Sequence, residues 1–188
     1  MSILKKRTYR PFIVLLLSVS LLLLSAQNPP SREYQIKAVF LFNFSQFIEW
    51  PQYSFANSQS AFVIGILGED PFGPYLEKTT ENEKVNNHSI TIQRYKSIDE
   101  IGSCHILFIH SNEADKMPQI ISALKGRSVL LVGDTPTFIE QGGMVRFYTL
   151  NNKIHLQINP EASKAAGMSI SSKLLRLAEI VVPKKNKN

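Results

Sequence analysis

The sequence predicts an α/β fold: a single domain with a mainly parallel central sheet flanked by helices, closed by a C-terminal β-hairpin and helix. Three observations predict it. The runs 61–67, 105–109 and 128–132 are continuously apolar, as strands buried on both faces are, rather than alternating. Segments of helical spacing separate them, which implies parallel crossovers with helices on each side of the sheet. From Met144 onward the pattern changes to two strands, 144–149 and 153–158, joined through Leu150-Asn151-Asn152, the chemistry of a hairpin.

The N-terminus reads as a targeting segment. Lys5, Lys6, Arg7 and Arg10 precede the apolar stretch 12–24, which closes on Ser25-Ala26 before polar Gln27-Asn28. That is the layout of a secretory signal peptide, residues 1–26, with an apolar run short of the roughly 20 residues of a spanning helix. Cleavage near Ala26 is the favoured reading and retention as an anchor the other. No Cys lies near the cleavage point, which argues against a lipoprotein. The net charge of +6 falls by four, to +2, when those four basic residues leave. Lys184, Lys185 and Lys187, in the basic tail 184–188, carry the remaining excess, so the folded body, residues 31–183, offers no case for nucleic-acid binding. About 160 residues suffice for one domain with a proper core. Cys104 is the only cysteine; an internal disulfide is excluded, and its apolar setting suits a buried structural thiol.

The first helix is the most apolar part of the folded body. Ser31 can cap it and Glu33 favours its first turn; Pro51 is expected to stop it after Trp50. Ile36, Val39, Phe40, Phe44, Phe47 and Ile48 form one stripe, expected to be core. Asn43 falls within that stripe and is expected to be a buried polar residue with a structural role, hydrogen-bonded to a neighbouring loop. Ala38, Leu41 and Phe42 make a second apolar patch. Either another helix of the domain covers it, or Leu41 and Phe42 contact a partner protein or a second copy of the chain.

The strand 61–67 ends at the turn Gly68-Glu-Asp-Pro-Phe-Gly73, in which Asp70 can cap and Pro71 can open a short helix through Leu76. Residues 81–87 read as a loop, 89–95 as a weaker strand and 97–101 as one helical turn. Residues 114–124 have helical spacing, with Gly126 as a stop. The strand 128–132 ends at Gly133-Asp134-Thr135-Pro136, a repeat of the Gly68 turn's grammar. Pro160 opens a helix to Ala166, Gly167 breaks it, and Ser169 or Ser171 caps a last helix over 173–180.

Chemistry is scarce. Asp70 and Asp134 both fall where the strands end, the crevice in which open parallel sheets bind ligands; they either take a cation or polar ligand there or cap their own turns. His105 and His110 bracket one predicted strand on opposite faces, while His88 and His155 sit on other predicted strands, without metal-ligand spacing. Gly65, Gly68 and Gly73 match no phosphate-binding loop, and no Gly-x-Ser-x-Gly elbow occurs. No catalytic residue, metal or cofactor is indicated, and the sequence does not argue for an enzyme.

The motifs Lys37-Ala-Val-Phe, Asn43-Phe44, Glu49-Trp-Pro51, Gly68-Glu-Asp-Pro-Phe-Gly73, Cys104-His-Ile-Leu-Phe, Val129-Leu-Leu-Val-Gly-Asp134, Gly142-Gly-Met-Val-Arg-Phe147, Gln157-Ile-Asn159 and Gly167-Met-Ser-Ile-Ser-Ser-Lys-Leu-Leu175 together resemble the YfiR family, over about 33–181. The resemblance implies a non-catalytic periplasmic regulator. Its partner would be a membrane diguanylate cyclase of the YfiN type, or another membrane signalling protein. It would act by holding down cyclic-di-GMP synthesis and biofilm formation, with a tendency to homodimerise. Members with cysteine pairs tie disulfides to folding and repression, and Cys104 alone departs from that pattern. The other function class is an exported small-molecule binding module using the crevice at Asp70 and Asp134.

Overall fold

The computed structural model describes residues 31–183; the segment 1–26, expected to be a signal peptide, and the basic tail 184–188 lie outside the described residues. Helix α1 spans Arg32–Phe47, capped by Ser31, whose Oγ accepts from the Tyr34 amide at 3.4 Å. Strand β1 (Ile48–Glu49) follows, then β2 (Phe62–Leu67), α2 (Tyr75–Thr80), β3 (Lys84–Val85), β4 (His88–Tyr95), β5 (Ile106–Ile109) and α3 (Met117–Ala123). After them come β6 (Leu130–Gly133), β7 (Val145–Leu150), β8 (Lys153–Ile158), α4 (Pro160–Ala165), β9 (Ser169–Ile170), α5 (Ser172–Leu175) and β10 (Glu179–Ile180).

The main sheet has the order β10-β8-β7-β6-β5-β2-β4-β3. Its centre, β4-β2-β5-β6-β7, is parallel throughout, with β2 and β5 in the register Ile64↔Ile106 and Ile66↔Phe108. The apolar runs of β2, β5 and β6 are buried at every position, as a sheet covered on both faces requires. Helix α1 lies on one face: Phe44 stacks on Phe147 at 5.8 Å, and Tyr34 meets Phe108 edge-on at 6.5 Å. Val129 and Leu131 alternate to the opposite face, where they line a shared groove with Ile121, Leu124 and Ala162 from the α3 and α4 region. Because Tyr34 sits by the end of β5 and Trp50 by its beginning, α1 runs antiparallel to these strands.

Both hairpins are closed by asparagines. Asn86-Asn87 joins β3 to β4 and Asn151-Asn152 joins β7 to β8, all four with φ between 48° and 70°. Two successive left-handed residues give the turn whose twist matches that of paired strands, and Asn tolerates that conformation. The stretch 81–87 therefore carries a short edge strand rather than being loop alone.

Two helix ends differ from expectation. Helix α1 stops at Phe47, before Pro51, because Ile48 and Glu49 extend to pair with Ile170 and Ser169 of β9; the residue before a proline is biased to extended backbone as well. The last helix is four residues long. Glu179 and Ile180 instead form β10, parallel to β8, and the Val181 amide donates to the Ile158 carbonyl at 2.9 Å. That pairing satisfies backbone groups which would otherwise line the open edge of β8.

Candidate functional site

The phase of α1 determines which of its residues are available to anything outside the domain. Its buried positions are Lys37, Ala38, Leu41, Phe44 and Ser45, whereas Ile36 and Val39 are about two-fifths exposed and Phe40, Phe42, Asn43 and Phe47 are half-buried. The face toward the sheet is thus turned by one residue, roughly 100°, from the stripe expected as core. Leu41, expected at a partner contact, is fully buried against the domain's own core and has no surface to offer. Phe42 keeps part of its ring in solvent. Asn43 is not the helix's buried polar residue; Lys37 and Ser45 are.

A buried lysine carries its charge only with partners. Lys37 Nζ lies 2.7 Å from Glu33 Oε1, one turn earlier, and 2.7 Å from Asp134 Oδ2, just past the end of β6. The Tyr34 hydroxyl donates to the same Asp134 oxygen at 3.2 Å, and the ammonium sits 4.3 Å from the Tyr34 ring centre. Burial, then the charge of Asp134, pushes the Tyr34 phenol well above its ordinary range, so it remains a donor. Asp134 thus locks α1 to the sheet rather than capping its own turn.

Asp70 has other partners. Its Oδ1 accepts from the amides of Phe72 at 2.7 Å and Gly73 at 3.2 Å, and its Oδ2 pairs with Arg94 Nε at 2.6 Å. Arg94 also reaches Glu77 Oε1, at 2.5 Å, and the Gly73 carbonyl. Between the two aspartates Tyr34 packs edge-on against Phe72 at 5.5 Å. At the C-terminal ends of the strands, therefore, each carboxylate is taken up by protein groups of its own.

The N-terminal ends of the strands carry an aromatic column. Phe55, in the connector after α1, stacks on His88 at 4.1 Å and on His105 at 4.6 Å, and His105 stacks in turn on Phe62 at 4.7 Å. Trp50 closes it, edge-on to Phe62, with its indole N–H donated to the His105 carbonyl at 3.2 Å. His105 Nδ1 accepts from the Val63 amide at 3.0 Å, which places the ring proton on Nε2. Burial pushes the His105 pKa down to about 4; the Ser54 backbone opposes the fall and His88 adds to it. Spacing along the sequence could not bring His88 and His105 to either side of one phenyl ring; the parallel sheet does. Cys104 beside them is buried, donates to the Ile106 carbonyl and has its thiol pKa pushed up to about 12 by burial, a structural thiol. Among the described residues no group of three His, Cys, Asp or Glu could hold a metal ion, and no helix is long and apolar enough to cross a membrane.

The model of the YfiR/HmsC-like family matches residues 34–179. The chain belongs to that family. For this YfiR/HmsC-like chain, no curated protein gives a significant match. Among solved structures it is similar to an ABC domain in complex with L-Trp from Streptococcus pneumonia, at 13% identity and a TM-score of 0.47. That alignment covers 64% of this chain and 55% of the other, so the chain spans about half the length of the structure it matches; at that score the likeness carries no argument.

The family match encloses both clusters, Tyr34–Lys37–Asp134 and Trp50–Phe55–His88–His105. Sequence reading singled out Asp134 but missed Lys37, the residue that takes it up. The available signal was a lysine one turn after Glu33 in an otherwise apolar helix, a pair spaced to meet. Arg94, which takes up Asp70, lay at the end of a strand with no signal pointing to its partner.

Proposed function

We propose that this YfiR/HmsC-like protein is a non-catalytic periplasmic regulator that works by binding a membrane-bound signalling protein, a diguanylate cyclase above all. Family membership over residues 34–179 is the observation that carries the reading. The outer face of α1 supports it. Ile36 and Val39 are exposed, with Phe40, Phe42 and Phe47 half-buried around them, an apolar strip on a helix anchored to the sheet by a buried ion pair. Contiguous exposed apolar surface of this kind suits a partner helix or a second copy of the chain. Binding would select an inactive arrangement of the cyclase's periplasmic region; release would let its cytoplasmic catalytic domains pair.

The test is genetic and then physical. Deleting the gene should raise cellular cyclic-di-GMP, and the protein used as bait should retain the cyclase from detergent-solubilised membranes. An unchanged cyclic-di-GMP level in the deletion strain overturns the reading.

A further inference from the structure

At the N-terminal ends of β5 and β6, opposite the crevice at Asp70 and Asp134, a cavity of about 410 Å³ opens between the connector after α1 and the loops leading into these strands. Tyr53, Ser54, Gly102, Ser103, Arg127 and Ser128 supply its polar wall. No aspartate or glutamate lines it. Arg127 brings a positive charge that no carboxylate pairs with among the described ion pairs; its guanidinium donates only to the Ile101 carbonyl, at 3.1 Å, and the Gly102 carbonyl. Ser128 is buried and its hydroxyl donates to the Tyr53 hydroxyl at 3.4 Å, leaving the Tyr53 proton free to point elsewhere.

The polar groups at this end are also incompletely used. Among the described residues Ser54 Oγ, in the cavity wall, is a buried side-chain polar atom with no hydrogen-bond partner. Buried polar atoms without partners are uncommon and call for an explanation. At the other end of the sheet Asp134 and Asp70 are each paired with a cation of the fold, Lys37 and Arg94. The open polar cavity thus combines a hydroxyl without a partner and a guanidinium that no carboxylate pairs with among the described ion pairs.

We propose that this cavity binds a small oxyanion, a molecule bearing one carboxylate or phosphate group, with Arg127 facing the charge and the hydroxyls of Ser54, Tyr53 and Ser103 donating to it. A guanidinium with free N–H groups is suited to both anions, and the volume has room for a short hydroxylated body beyond the anionic group. The proposal stands apart from the partner reading: the cavity takes its ligand whether or not a cyclase is the partner.

The test is thermal unfolding of the purified protein with increasing inorganic phosphate, glycerate or glycerol, at constant ionic strength maintained with chloride so that screening does not change. A ligand that binds only the folded state raises the midpoint in a saturable way. Phosphate, glycerate or both should do so; glycerol should not. Which anion works separates a phosphate ligand from a carboxylate. Ser54→Ala removes a hydroxyl that has no partner in the fold, so it should unfold as the parent does without ligand and bind at least tenfold more weakly. Arg127→Gln should abolish the shift. Three results each overturn the proposal: no saturable shift with either anion, an equal shift with glycerol, or shifts unchanged in both variants.

Discussion

Lys37 and Asp134, ninety-seven positions apart, meet at 2.7 Å with the lysine side chain almost wholly out of solvent. Removing Asp134 leaves the buried ammonium with only the half-exposed Glu33, and removing Lys37 leaves the carboxylate with only the Tyr34 hydroxyl; breaking a buried pair costs about 3–5 kcal/mol, whereas replacing both members with apolar residues of similar volume can be close to neutral. Lys37→Met and Asp134→Leu should therefore each be strongly destabilising in urea unfolding, and the double substitution should recover a large part of the loss. Additive losses in the double variant would mean that the pair is not coupled.

His105 makes stability depend on pH. In the folded protein the ring stays neutral down to about pH 4, whereas in the unfolded chain it takes up a proton near pH 6.5. Between those values the unfolded state binds more protons, so stability falls as pH falls. The contribution is complete above pH 6.5 and lost by pH 4, and for a shift of this size amounts to about 3 kcal/mol. Protonating Nδ1 would also break its bond from the Val63 amide. His105→Asn should flatten the stability profile between pH 6.5 and 4; an unaltered slope would assign the dependence to other groups.

Gly65 is the one gap in the apolar run of β2. A Cβ built there lies 2.6 Å from Tyr95 Cε2 and 2.9 Å from Cys104 Sγ, both in packed positions. Gly65→Ala should cost about 1–3 kcal/mol through overpacking, read as a lower unfolding midpoint. Gly65→Ala combined with Cys104→Ala should recover some of it, since the smaller side chain vacates one of the three close contacts; no recovery would locate the strain at Tyr95 and Leu107.

The sheet was readable because its signal is local: a strand buried on both faces is apolar at every position, so β2, β5 and β6 stood out, and the two-residue Asn turn marked the β7–β8 hairpin. The phase of α1 was not, because its sheet-facing side includes Lys37, and a buried cation looks exposed until Asp134 is brought beside it from the far end of β6. The C-terminal segment misled for a related reason. Leucines at helical spacing over 174–180 give way to β10 because the edge of β8 offers backbone partners that no local pattern reveals. Asp70 and Asp134 were placed at the right end of the sheet, but only the folded chain brings each its partner, and the polar wall of the cavity at the opposite end gathers Tyr53, Ser54, Ser103, Arg127 and Ser128 from three separate segments without motif spacing.

The rotated phase of α1 also decides how the partner surface is to be tested. Leu41 is fully buried, so Leu41→Asp places a carboxylate in the core and should unfold the domain, a loss of about 4 kcal/mol or more. Val39 is exposed and Phe42 half-buried; Val39→Asp should change stability by no more than about 0.5 kcal/mol, and Phe42→Asp somewhat more, with native circular dichroism in both. If the outer face of α1 is the contact surface, both variants should lose retention of the membrane partner or, for a homodimer, sediment as monomers. Folded variants that associate as the parent does would move the contact to another surface, with the exposed Leu177, Ile180 and Val182 beside β10 the next to substitute.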